Sequence, residues 1–368
     1  MQVAARGPAR TSGAAVVYCV ANIEDEGACL LPAMRHVVGR LNETGARALR
    51  TLAGVVAVLV LGSAEPAASA PKPLQFRVAA DTGIRLTDVL WTGSRFLYLE
   101  NTTNTIWQDG PGGTATSRFA SMPNQVEETR CRLSPGGHGF ARGDIYCHAP
   151  DNTIYRISPD GSEVNVFARL PAQSVSDGAL AFDMAGSFGY ALLAATGRSG
   201  SAEPAGGEVY AVGANGGVRV VGAYAGPGGA DGMAVSSRHF GAASGQVVLT
   251  VDAGSHGSIL LMNERGQTRT IASLPDGPNP IVVVGAAPKQ PRLRAAPGLY
   301  VTDTASHHVL FAPASQFASY IGDVIVGSEI KGLFWVVRPR GRGYQTLQLP
   351  TNLAAGAYNL EGATYVTR

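Results

Sequence analysis

Charge is scarce in this chain of 368 residues: only 15% are Asp, Glu, Lys or Arg, and 29 basic against 27 acidic groups leave a formal +2. So thin and even a balance excludes a polyanion-binding surface and an acidic disordered chain. Cysteine is rarer, with four in all and no C-x-x-C pair, which removes the common zinc spacings. The run TLAGVVAVLVLG (51–62) falls short of a membrane-spanning helix, which needs roughly 20 apolar residues. After residue 70 no 3.6-residue apolar period lasts beyond a turn or two. There is no G-x-S-x-G elbow, P-loop, or dinucleotide fingerprint with a following acid. Nucleic-acid binding is therefore not expected.

What is present is glycine, 47 residues, with 22 prolines and 45% hydrophobic residues. Without a Gly-X-Y period this is not collagen, and it fits many short strands joined by tight turns.

Arg35, Arg40, Arg47 and Arg50 precede the apolar run, and SAEPAASA follows it. A basic segment, a short apolar stretch and a small-residue exit read as a secretory signal peptide, with Ala68-Ser69-Ala70 near the cleavage point. Glu24, Asp25 and Glu26 are out of place in such a leader, so Met34 is the expected translation start. Residues 1–70 are thus expected to be a leader and 71–368 one domain of a secreted or periplasmic monomer with no membrane span after processing. Cys131 and Cys147 remain in that domain, and an exported pair is expected to form a disulfide.

The domain repeats. An apolar strand, a polar turn and a second strand recur in FLYLENTTNTIW (96–107), DIYCHAPDNTIY (144–155), VVLTVDAGSHGSIL (247–260) and GLYVTDTASHHVL (298–310), with a looser copy at 190–210. Ile106, Ile154, Val209, Ile259 and Val309 then fall 48, 55, 50 and 50 residues apart. A short segment precedes each copy: TDVLW (87–91), VEETRCRL (126–133), SDGALAF (176–182), ADGMAV (230–235) and PNPIVVV (278–284). Four short strands per unit, with turns every 8–12 residues, are the pattern of a propeller blade. The fold class is all-β: a single β-propeller, most simply of six blades, with PNPIVVV opening the blade that contains GLYVTD. NLEGATYV (359–366) is expected to complete the irregular last blade, which otherwise holds GDVIVGSE and GLFWVV (322–337). A second register makes GDVIVGS the inner strand.

In register, one slot near the start of each inner strand holds Asp88, Glu127 or Glu128, Asp177, Asp231, Asn279 and Glu361. Oxygen side chains recurring once per blade would converge at one channel mouth, and carboxylates so gathered need a cation or protons. A set without Cys or His favours a hard cation, calcium first. The same Asp-Gly pairs are also ordinary turn dipeptides. His138, His256, His307 and His308 read as turn residues, Arg338, Arg340 and Arg342 as a solvated hairpin tip, and Trp91, Trp107 and Trp335 as packing residues.

The strands FLYLEN…NTIW, DIYC…NTIYRISPDG and GLYVTD…HHVL resemble the six-bladed propellers of the senescence-marker/gluconolactonase-like and NHL-repeat groups. The resemblance implies a divalent metal at the channel mouth and hydrolysis of a lactone or ester. Carried over, the metal would be held by Glu361, Asn279 and Asp231, and the once-per-blade slot adds Asp88 to the expected ligands. Asp231 or Asp177 would act as general base. The family's Glu-Gly-Pro strand is matched here by Leu360-Glu361-Gly362-Ala363, without the proline and at the opposite end of the chain. The alternative function is a non-catalytic extracytoplasmic binding or scaffold propeller for a small-molecule or glycan ligand.

Overall fold

The computed structural model describes residues 71–110, 115–123, 128–171, 178–197, 206–226, 228–252, 255–286 and 295–367. The leader, Glu127 and Asp177 lie outside the described residues. Among these residues the short apolar runs form strands of four to eight residues, arranged in six four-stranded sheets. The chain is a six-bladed β-propeller.

Blade 1 is β2 (Leu86–Trp91), β3 (Phe96–Glu100), β4 (Thr105–Asp109) and β5 (Ala115–Ser121), from the axis outward. Blade 2 follows with β6 (Arg130–Leu133), β7 (Ile145–His148), β8 (Thr153–Ile157) and β9 (Val164–Arg169). Blade 3 is β10 (Ala179–Phe182), β11 (Leu192–Ala195), β12 (Gly206–Val212) and β13 (Val218–Ala225). Blade 4 is β14 (Ala230–Val235), β15 (Val247–Asp252), β16 (Gly257–Met262) and β17 (Thr268–Leu274).

The last two blades are interlaced. Blade 5 starts with β18 (Pro278–Val283), but the chain then leaves it to form β19 (Gly298–Asp303) and β20 (His308–Pro313), the middle strands of blade 6. It returns to finish blade 5 with β21 (Val324–Ser328), β22 (Phe334–Arg340) and β23 (Gly343–Leu349). Finally β24 (Leu360–Val366) becomes the inner strand of blade 6, whose outer strand is β1 (Arg77–Asp81) from the start of the domain.

The C-terminal strand does complete a blade, though a different one from that expected. It lies beside GLYVTD, and the segment 324–349 stands behind PNPIVV. VIVGS occupies the second position of its blade, so the register that places it innermost is also corrected. The five positions taken as equivalent, Ile106 to Val309, all lie on third strands.

Each sheet is apolar on both faces because each blade packs on two neighbours. Strand alternation divides the residues: Leu97 and Leu99 join Cys131, Ile145 and Cys147 between blades 1 and 2, while Tyr98 joins Tyr300 and Phe311 between blades 1 and 6. Six such clusters fill the six boundaries. This two-sided burial explains why strands such as LLAA and VVLTV read as continuous apolar runs. Trp335 is buried between blades 4 and 5, while Trp91 and Trp107 are partly buried at the boundary of blades 6 and 1. Cys131 and Cys147 face each other across β6 and β7 and form the disulfide. Among the described residues no helix is long and apolar enough to cross a membrane.

Candidate functional site

The six inner strands begin at one mouth of the axial channel and end at the other. At the starting end, four of them carry an irregularity in pairing: Thr87 lies between the paired Leu86 and Asp88, Asp231 between Ala230 and Gly232, Asn279-Pro280 after Pro278, and Glu361-Gly362 before Ala363. A bulge re-aims side chains that simple alternation would send into a blade boundary. Among the described residues, Asp88, Asp231, Asn279 and Glu361 stand at this polar mouth near one residue that the sequence reading passed over.

That residue is Arg130, the first of β6 and almost wholly buried. Its Nη2 donates to Glu361 Oε2 at 2.7 Å, and its Nη1 donates to the Thr87 carbonyl at 2.8 Å. Asn279 Nδ2 donates to the same Glu361 oxygen at 2.9 Å. Burial opposes the charge on Arg130, but Glu361, Asp88 and Asp231 outweigh it and raise its hold on the proton. For the Glu361 carboxyl, burial outweighs the pairing with Arg130 and pushes it above its ordinary range.

Asp88 does different work. It is fully buried; one oxygen accepts from the Val89 amide at 2.9 Å, the other from the Cys131 amide at 3.1 Å and Arg132 Nη1 at 2.9 Å. It clasps blade 1 to blade 2. Gly362 makes room for it, since a β-carbon there would lie 2.4 Å from Asp88 Oδ1.

These donors test whether the mouth fits a divalent cation. Glu361 Oε2 already accepts two hydrogen bonds, Asn279 presents its amide nitrogen, and both Asp88 oxygens are engaged. As arranged, the set fits a guanidinium, and a metal ion would have to displace Arg130. Among the described residues no three His, Cys, Asp or Glu side chains gather as a metal cluster.

Beside Glu128, which acts on both Glu361 and Glu329, two further carboxyls of the described residues stand at this mouth, Asp252 at the end of β15 and Glu329 just after β21. They flank Gly277: Asp252 lies against its Cα, and its carbonyl accepts from the Glu329 amide at 2.9 Å. Burial, then Glu361, Asp252 and Glu128, push Glu329 up to about 8, and its carboxyl is hydrogen-bonded to Asp252. His148, at the end of β7 opposite Arg130, is fully buried against Gly178, and among the described residues no hydrogen bond of good geometry reaches either ring nitrogen. Burial pushes it down to about 4, against smaller upward effects of Asp151 and Asn152.

The other mouth is apolar. The ends of five inner strands line a cavity of about 430 Å³, with Leu133, Phe182, Met233, Ile281 and Tyr365 in its wall. Arg132 also lines it, half-buried and bonded through Nη1 to Asp88 and to the Cys131 carbonyl.

No protein-family model matches the chain, and no curated protein matches it. Solved structures do. Regucalcin, a calcium-binding protein of Agrobacterium tumefaciens str. C58, is 12% identical at a TM-score of 0.42, over 77% of this chain and 80% of that one. A protein assigned as a 6-phosphogluconolactonase of Bacteroides uniformis ATCC 8492 is 11% identical at 0.42, over 76% and 73%. An oligogalacturonate lyase in complex with manganese is 11% identical at 0.39, over 76% and 75%. At these scores the likenesses say nothing about activity. The chain is a six-bladed β-propeller whose structural neighbours include regucalcin and lactonase-type propellers.

Proposed function

We propose that this chain is an exported, non-catalytic binding propeller that takes a small, largely apolar acid into the apolar mouth. The observation that supports this reading is the contrast between the two ends of one channel. At the polar mouth Glu361 is already answered by Arg130 and Asn279. At the apolar mouth a cavity of about 430 Å³ stands open, within the roughly 300–1,000 Å³ of small-molecule sites. Arg132 supplies the charge that would orient an acid, through guanidinium nitrogens not used on Asp88. Export rests on the apolar run at 51–62 and the Cys131–Cys147 bridge. The test is a melting series of the purified protein against octanoate and its amide. The acid should raise the melting temperature with concentration and the amide should do so less; no rise with either overturns the reading.

A second reading, hydrolysis of a lactone or ester at the polar mouth, has one observation of its own. Burial and neighbouring acids push the Glu329 carboxyl up to about 8, and it is hydrogen-bonded to Asp252, which places a proton donor for general-acid chemistry at this mouth. In this reading Asp231, or Asp177, is the general base. Elemental analysis, melting with and without EDTA, and a lactone screen separate the two readings. Stoichiometric divalent metal, with turnover lost in a folded Asp231→Asn variant, would replace the binding reading. Absence of both metal and turnover removes hydrolysis.

A further inference from the structure

Two loops meet beside the apolar mouth in a way that the channel alone does not require. The loop after β6 reads SPGGHGFARG, and its tip is closed by reciprocal bonds between Gly137 and Phe140 at 3.1 and 3.0 Å. The tip residues His138 and Gly139 both have positive φ, 52° and 90°, as a two-residue primed turn demands. The loop after β10 is organised by Asp183. One of its oxygens accepts from the Ala185 and Gly186 amides, the other from the Phe188 and Tyr190 amides, at 2.7 to 3.1 Å. This holds Tyr190 in the left-handed region at φ 60°. The two side chains then stack, centroids 3.6 Å apart and planes within 2°. Two non-glycine residues are kept in a disfavoured backbone conformation, and each sets one ring of the stack.

The stack borders a recess of about 160 Å³ whose wall includes Phe140, Phe182 and Met184. An apolar cavity of about 150 Å³ accepts one benzene. Pro135, Phe182 and Met184 also line the larger cavity, so the recess adjoins it. Met184 is 61% exposed, unusual for a large apolar side chain and suited to contact with an aromatic edge.

We propose that this recess is a ring-binding subsite, and that the ligand is an amphipathic acid bearing one aromatic ring. This rests on the binding reading above. The ring enters the recess beside His138, Tyr190 and Met184, while the apolar chain and the acid group lie in the main cavity with Arg132.

The experiment is calorimetric titration of the purified protein with 4-phenylbutyrate and with octanoate, two acids that differ in the ring. The ringed acid is expected to bind roughly two- to twelvefold more tightly, the range that a favourable aromatic contact provides. Tyr190→Ala should erase that preference and leave octanoate affinity unchanged, whereas Tyr190→Phe should keep it. Should Tyr190→Ala not fold, His138→Asn retains a residue that tolerates positive φ, removes the stacking partner, and should weaken the preference. Equal affinities in the native protein, or a preference that survives loss of Tyr190, overturn the subsite alone. Failure of both acids to bind overturns the binding reading and the subsite together.

Discussion

Burial holds the His148 ring neutral, and the consequence is a pH-dependent stability with a defined sign. The ring is pushed down to about 4 in the folded chain, and unfolding returns it to about 6.5. Between these values the unfolded chain binds the proton and the folded chain does not, so stability falls as pH drops from 6.5 to 4. The expected loss is about 3 kcal/mol, read from urea unfolding at a series of pH values, and His148→Asn should flatten the slope. Glu329 acts in the opposite direction. Its carboxyl is raised to about 8 by burial and by neighbouring acids, so ionising it costs the folded state more than the unfolded one. That contribution is present at low pH and lost as pH rises towards 8. Glu329→Gln should therefore gain melting temperature relative to the native protein at pH 8 and none at pH 4. Arg130→Met leaves Glu361 buried without its cation and should cost about 3–5 kcal/mol in the same unfolding assay. Half of this mouth was legible in the sequence. The inner-strand acids were visible as a once-per-blade slot. The residues that end the second strands were equally periodic and were passed over: Glu100, His148, Asp252 and Asp303 close FLYLE, IYCH, VVLTVD and GLYVTD. Because the second strand runs antiparallel to the first, its last residue reaches the height where the first begins.

At the scale of single elements, the β6–β7 hairpin shows what a disulfide contributes to a short pair. The bridge closes a loop between residues 16 apart in sequence, and replacing both cysteines by alanine should cost about 3 kcal/mol. A melting curve of the double variant checks this, and added reductant should bring the native protein to the same value. The third-strand positions Ile106, Ile154 and Val309 were legible because each is the second residue of its strand, while Ile259 is the third and Val209, after a longer connection, the fourth. The bulges were not, since an extra residue in one strand leaves no mark on an apolar run buried on both faces. For the same reason β18 and β19, adjacent in sequence and both apolar, read as parts of one blade. Local pattern assigns a strand to a sheet; partner choice between equally apolar strands depends on non-local packing. Here β18 pairs with β21, and β19 with β20 and β24.

At the scale of the whole molecule, closure depends on both ends of the domain. β1 supplies the outer strand and β24 the inner strand of the same blade. Truncation before residue 359 removes β24 and leaves an edge of β19 unpaired, so the shortened protein is expected to aggregate when assayed by light scattering. The interlacing of blades 5 and 6 reaches further. Blades 1 to 4 are each one contiguous stretch of chain, whereas blades 5 and 6 alternate along it. Neither of those two sheets can come apart without stripping strands whose connections run through the other, and amide exchange should report them as a single cooperative unit. The same weave limits what a deletion can remove. A single contiguous deletion can therefore excise any one of the first four blades whole, whereas none removes blade 5 or blade 6 alone, and blade 6 also draws β1 from the start of the domain.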